Sequence, residues 1–163
     1  RNRAYNDIQR AVRIVRSRAA EWNIDQERIG VMGSSVGGHL SARVSTGYDT
    51  PSYKAVDELD GASCKPNFTV LLCPAYMNKG KALAKEFTVT DKLSPTLIVT
   101  CKDDGFFIGS EVYAKALEEA GAPVRTHFFE KGGHGIKIRG EKYPLSTWPE
   151  LYLQWLRDIT IIE

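Results

Sequence analysis

The sequence predicts an α/β domain built on a mainly parallel sheet flanked by helices. Three observations carry this. Apolar runs at residues 28–32, 68–73, 95–101 and 124–129 read as strands. Residues 68–73 and 96–101 are almost continuously apolar, as strands buried on both faces of a parallel sheet require. Segments of helical period separate or flank these runs, with no internal repeat and no low-complexity linker.

The elements follow in order. Ile8, Val12, Val15, Ala19 and Trp22 recur at spacings of four and three, which predicts an opening helix with these side chains on its buried face. Arg10, Arg13 and Arg16 fall largely off that stripe and are expected on a solvated surface, with an anion-binding face as the alternative. A polar turn at 23–27 leads into the first strand. The glycine-rich segment 33–38 follows, then a helix over about 36–45. Residues 48–67 are polar and punctuated by Asp49-Thr-Pro51, Asp60-Gly61 and Lys65-Pro66, all turn formers. After the two buried strands, a helix over 109–120 turns Val112, Ala116 and Leu117 inward and stops at Gly121, where a left-handed cap needs glycine. The last helix opens on Thr147-Trp-Pro-Glu150, a capping-box spacing with proline in the first turn. Leu151, Trp155, Leu156 and Ile159 form its stripe.

Composition narrows the function classes. With 22 Lys and Arg against 20 Asp and Glu, the net charge is +2, and no charge excess points to nucleic acid or an anionic membrane as a partner. No apolar run approaches the roughly 18–20 residues that span a bilayer. Cys64, Cys73 and Cys101 cannot all pair within one chain, and the latter two end strand-like runs, so buried thiols rather than a disulfide framework are expected. The opening Arg-Asn-Arg-Ala-Tyr-Asn-Asp moves straight into an amphipathic helix without an apolar leader, and the chain is expected to begin in mid-protein.

The chemistry gathers at strand ends. Gly33-Ser-Ser35-Val-Gly37 has the form G-x-S-x-G between a strand and a helix. There a tight turn lifts the Ser35 hydroxyl clear of the backbone and leaves the Val36 N–H at a helix N-terminus, facing a developing oxyanion. The flanking glycines are expected because side chains at either position would collide with strand and helix. Gly38 adds close helix–strand packing. A serine hydroxyl needs a base, and the base needs an orienting acid. Residues 96–101 are followed by Lys102-Asp-Asp-Gly105, and 124–129 by Glu130-Lys-Gly-Gly-His-Gly135. His134, among three glycines, is the candidate base, and the order Ser, Asp, His suits this class of hydrolase. Asp103 and Asp104 are not separable on this reasoning; one of them is a turn former or a partner for Lys102. His39 and His127 read as packing or hydrogen-bonding residues.

These stretches, together with Cys64-Lys-Pro-Asn-Phe68, Cys73-Pro-Ala-Tyr76, Glu119-Ala-Gly-Ala-Pro-Val124 and Trp148-Pro-Glu-Leu-Tyr-Leu-Gln-Trp155, resemble the α/β-hydrolase superfamily nearly end to end. The similarity is to the esterase/lipase branch that contains bacterial carbohydrate acetyl esterases and acetyl xylan esterase-like proteins. It implies an α/β-hydrolase fold over 1–163 as one domain, of which this chain is the C-terminal portion with its N-terminal strands missing. It assigns the acid to Asp104, the second aspartate of the pair, although Gly105 stands where the family commonly has proline. The implied enzyme is a serine esterase with Ser35, Asp104 and His134 as catalytic residues, the Val36 N–H as oxyanion donor, and no cofactor or metal. Its substrates would be short-chain esters, above all acetyl groups on xylan or xylo-oligosaccharides. A serine peptidase, a general carboxylesterase or a non-catalytic hydrolase-like module are the alternatives.

Relatives take a second oxyanion donor from a glycine-rich loop that precedes the elbow, and nothing in residues 1–34 can supply it. An upstream segment or a second copy of the chain is therefore expected to complete the sheet. Residues 74–95, where relatives often insert a lid, are short and rich in Lys and Thr, which implies an open, shallow site. Tyr76, Phe106 and Trp148 are candidates for stacking on a sugar, with core packing the competing reading of each.

Overall fold

A computed structural model describes residues 2–135 and 144–163. In chain order the elements are α1 (Asn2–Ser17), β1 (Gly30–Ser34), α2 (Val36–Thr46), β2 (Phe68–Leu72), β3 (Asn78–Lys79), β4 (Ala82–Leu83), β5 (Thr96–Cys101), α3 (Phe107–Glu119), β6 (Val124–Phe129) and α4 (Trp148–Asp158). The main sheet has the order β1-β2-β5-β6, every pair parallel, while β3 and β4 form a separate antiparallel hairpin. All four long strands therefore release the chain at one edge of the sheet, where ligands and catalytic groups collect in open α/β folds.

Burial follows the predicted pattern. Every residue of β2 and β5 is buried. Leu71 and Ile98 meet Ala42 of α2 and Tyr113, Ala114 and Leu117 of α3 on one face. Val70, Leu72, Leu97 and Val99 meet Trp148, Trp155 and Leu156 of α4 on the other. The period of two along each strand thus divides one apolar run between two helical layers. The three cysteines are free and buried.

The first helix departs from expectation. It ends at Ser17, and the chain turns through a left-handed Asn23 (φ 55°), leaving Trp22 exposed rather than on the buried stripe. Its buried face is Tyr5, Gln9, Val12 and Arg13, rotated from the apolar stripe. The arginines are paired rather than free on a solvated face, and Arg13 is buried. Arg10 forks onto Asp57 (2.8 and 2.6 Å) and reaches Asp60 (2.7 Å). Arg13 donates to the Asp60 carbonyl, and Arg16 to the Ser63 carbonyl and Asn67. Gln9 joins them by donating to the carbonyls of Gly47 and Thr50 and accepting from the Ser52 N–H. The polar segment 48–67 is strapped to α1 by side chains that satisfy its otherwise unpaired backbone groups.

The strap carries a pH dependence. Asp60, its side chain enclosed, is held well below the usual carboxylate range by the Arg10 guanidinium, with the Tyr53 hydroxyl and the Val56 N–H adding to the effect. A carboxyl depressed in the folded state stabilises fully above its unfolded value of about 4 and loses that contribution as pH falls further. The melting temperature should therefore drop more steeply below about pH 4 in the wild type than in Asp60→Asn. Parallel profiles would contradict the assignment.

At α3 the left-handed Gly121 (φ 76°) ends the helix as predicted; Leu117 is buried as expected, but Tyr113 and Ala114 fill the inward face where Val112 and Ala116 are only half-buried. At α4 the capping box does not form. Thr147 donates instead to the Pro144 carbonyl (2.7 Å), because residues 144–147 wind into a 3-10 turn ahead of the helix.

Candidate active site

Ser35 stands between β1 and α2 with φ 54° and ψ −120°, a strained conformation for a residue with a side chain. Backbone bonds on three sides hold it there. Its N–H donates to Leu72 O (3.1 Å), prolonging the β1–β2 ladder, and its carbonyl accepts from the N–H groups of His39 (3.2 Å) and Ala75 (3.0 Å).

The turn is tight at Gly33, where a Cβ would lie 2.2 Å from the Gly37 carbonyl carbon and oxygen. Gly38 is close-packed as expected, since its Cβ would sit 3.0 Å from Pro74 Cβ and 3.1 Å from Gly33 O. The expectation for Gly37 is overturned: a Cβ there meets nothing within 4 Å. Gly37 leaves room because Gly33 approaches its backbone, not the position its own side chain would occupy.

Ser35 Oγ lies 2.9 Å from His134 Nε2, and His134 Nδ1 lies 3.0 and 2.9 Å from Asp104 Oδ1 and Oδ2. A carboxylate only accepts, so Nδ1 carries the proton and Nε2 is left to accept from the hydroxyl. Asp104 is itself fixed. Its side chain is fully enclosed, Oδ1 accepts from Phe106 N–H (2.9 Å), and Oδ2 accepts a long bond from the Thr100 hydroxyl (3.4 Å). Burial pushes the thiol of Cys73, beside this carboxylate, above its ordinary range, so it stays a neutral packing group. The structure thus brings Ser35, His134 and Asp104 into one hydrogen-bonded chain.

The other expected site residues divide. Val36 is the first residue of α2, with its side chain 51% exposed beside Ser35 and its N–H among the helix-start amides that lack an intrahelical acceptor. Tyr76 is 49% exposed, in left-handed conformation (φ 59°), and packs edge-on against Phe106 with ring centres 5.1 Å apart. Phe106 in turn lies 5.0 Å from the His134 ring. Trp148 is not at the site: it is 8% exposed and packs with Leu145, Trp155 and Leu156 in the core. An indole at the start of an amphipathic helix serves the sheet interface before it can serve a ligand.

His39 behaves as the packing residue expected, with Nδ1 3.2 Å from Tyr76 O and its ring against Phe87. Burial lowers its pKa against the opposing pull of Glu86, whose carboxylate lies 3.6 Å from Nε2. His127 lies within β6, and burial lowers its pKa too.

Of the two roles expected of the spare aspartate, Asp103 does sit in the turn closed by Asp104 N–H on Cys101 O (3.1 Å), but it is not the partner of Lys102. Lys102 pairs with Glu130 (2.5 Å), and Asp103 accepts from the backbone N–H groups of Gly132 and Gly133 in the histidine loop. Only the fold could reveal this, because the partners are 29 and 30 residues away.

A cleft of about 270 Å³ is lined by Ala4, Val36, His39, Leu40, Arg43 and Tyr76, so it adjoins the triad through Val36, the residue after Ser35, and no triad side chain lines it. Over residues 74–95 the β3–β4 hairpin stands in place of a helical lid. Among the described residues no cluster of His, Cys, Asp and Glu could hold a metal ion, and no helix is long and apolar enough to cross a membrane.

Comparison with known proteins adds to this geometry. Residues 2–103 match the BD-FAE family. An acetylxylan esterase from Xylanibacter ruminicola is 26% identical over 180 aligned positions, covering 94% of this chain and 34% of the relative. An acetyl ester-xyloside bifunctional hydrolase from Caldicellulosiruptor lactoaceticus superimposes with TM-score 0.85 at 29% identity, covering 98% of this chain and 66% of that structure. A thermophilic esterase from Thermogutta terrifontis superimposes with TM-score 0.82 at 24% identity over 97% of this chain and 66% of that one, a likeness of fold. The chain spans about a third of the length of the curated relative.

Proposed function

Because the chain belongs to the BD-FAE family, we propose that it is the triad-bearing part of a serine esterase that removes short acyl groups, above all acetyl, from carbohydrate. The observation that carries this reading is the hydrogen-bonded chain Ser35 Oγ–His134 Nε2 and His134 Nδ1–Asp104, set at a strained strand-to-helix turn.

The chemistry follows from the geometry. Ser35 Oγ attacks the ester carbonyl carbon as His134 Nε2 takes the hydroxyl proton. Asp104 holds the imidazole in the required tautomer and stabilises the imidazolium. The negative charge that develops on the carbonyl oxygen falls within reach of the Val36 N–H at the start of α2. Collapse of the tetrahedral species expels the alcohol, which takes its proton from His134. Water, deprotonated by the same His134, then releases the acid and restores Ser35. A second donor to the oxyanion would come from chain lying along the outer edge of β1, where no described strand pairs, supplied by the same polypeptide or a second copy.

The substrate class rests on the cleft and on the relatives. The cleft of about 270 Å³ begins at Val36, next to Ser35, and has room for an acyl group, while a short β3–β4 hairpin in place of a helical lid favours access by a bulky alcohol. Exposed Tyr76, packed edge-on against the half-buried Phe106, offers an aromatic surface beside the triad for a sugar ring. The similarity to an acetylxylan esterase and to an acetyl ester-xyloside hydrolase supports the same class.

Acyl-chain selectivity tests the reading. Specificity constants for p-nitrophenyl acetate, butyrate and octanoate should fall in that order, and acetate should be released from acetylated xylo-oligosaccharides. A preference for octanoate would contradict the proposed substrate class.

A further inference from the structure

We propose that Asp103 is a positioning residue for His134, acting on the backbone of the histidine loop while its neighbour Asp104 acts on the ring. The inference rests on the reading of Ser35, His134 and Asp104 as an esterase triad. After β6 the chain must carry His134 back over the ends of β1 and β5 through Glu130-Lys-Gly-Gly, a stretch with no secondary structure to fix its course. The Asp103 carboxylate supplies the missing anchor. Its Oδ1 accepts from Gly132 N–H (3.0 Å) and Gly133 N–H (2.8 Å), and its Oδ2 also lies 3.3 Å from Gly132 N.

Two successive amides converging on one anion form a nest, which needs left-handed backbone; Gly133 has φ 65°. These backbone hydrogen bonds, Gly133 first, also hold the Asp103 carboxyl below its usual range. From below, Gly132 presses on β5, where a Cβ would meet Cys101 Sγ at 2.5 Å. Gly132 and Gly133 are therefore fixed from two sides, and His134 is the next residue. The alternative tie, Lys102 to Glu130, joins two exposed side chains and carries little energy.

The two aspartates that follow β5 thus divide one task. A loop clamped at both residues that precede the imidazole holds Nε2 at 2.9 Å from Ser35 Oγ, and displacement of such a group by about 1 Å can cost up to about a hundredfold in rate.

The test compares wild type, Asp103→Asn and Asp103→Ala in the full chain by three readouts. These are the rate of Ser35 labelling by a fluorophosphonate, kcat and KM on p-nitrophenyl acetate, and the downfield proton resonance of His134 Nδ1–H. Asp103→Ala should lower labelling and kcat by about ten- to a hundredfold with KM unchanged, and should broaden or erase the proton resonance. Asp103→Asn keeps a carbonyl acceptor for the two amides and should recover part of all three. If Asp103→Ala fails to fold, Asp103→Asn alone carries the comparison. Wild-type rates and an unchanged resonance in the folded variants would overturn the proposal. So would a loss no larger than the unfolded fraction seen in thermal melts. An unlabelled, inactive wild type would instead defeat the esterase reading, and the proton resonance would still report whether Asp103 positions His134.

Discussion

Asp104→Asn should lower kcat on short acyl esters by about 10⁴-fold while leaving the melting temperature close to that of the wild type. Both oxygens of Asp104 lie within 3.0 Å of His134 Nδ1. The Oδ1 position also faces the Phe106 N–H, a donor that cannot turn away, whereas the Thr100 hydroxyl at Oδ2 can rotate. An asparagine at 104 therefore places its carbonyl toward Phe106 and its NH₂ at the Oδ2 position, 2.9 Å from Nδ1. An NH₂ group donates and opposes a proton on Nδ1 at the shorter contact, which favours the tautomer with the ring proton on Nε2, where it blocks acceptance from Ser35. The shape of the site survives while its base is lost. Steady-state kinetics check this, and a loss below tenfold would contradict the assigned hydrogen-bond directions.

Gly33→Ala should be the most damaging single methyl at the elbow, costing about 3 kcal/mol or more and removing activity with it. Its Cβ would sit 2.2 Å from the Gly37 carbonyl group, and backbone on that side is held by the bonds that fix Ser35. Relief requires α2 to move away from β1, which carries Ser35 away from His134. Gly37→Ala is the matched control. Its Cβ meets nothing within 4 Å, and replacing a helical glycine should stabilise by about 0.5–1 kcal/mol. Urea unfolding of the two variants gives the comparison. Equal destabilisation would show that the clash at Gly33 is relieved without moving the helix.

These two cases also show what was legible before the fold was known. The runs that became β2 and β5 were readable because burial on both faces leaves no alternation in the residue types. Ser35 and His134 stood out because each lies among glycines directly after a predicted strand, and strand ends converge in a parallel sheet. Local reasoning stopped where a side chain's role is set by a partner far along the chain. Arg10, Arg13 and Arg16 looked solvated because their partners, Asp57, Asp60 and Ser63, lie 47 residues away. Trp148 was a candidate stacking platform with core packing the stronger reading, and placing α4 on the sheet decided for the core. Asp103 and Asp104 were inseparable by local chemistry, and resemblance alone favoured the second. The distinction is geometric: one reaches the imidazole and the other the amides before it.

The most direct measurement is covalent capture of Ser35. A fluorophosphonate reacts only with a serine whose hydroxyl is activated by a base in hydrogen-bond reach, which is the state of Ser35 beside His134. Intact-mass analysis should show one adduct per chain, peptide mapping should locate it on Ser35, and Ser35→Ala should take up none. A folded wild-type chain that remains unlabelled, or an adduct that persists in Ser35→Ala, would contradict the account.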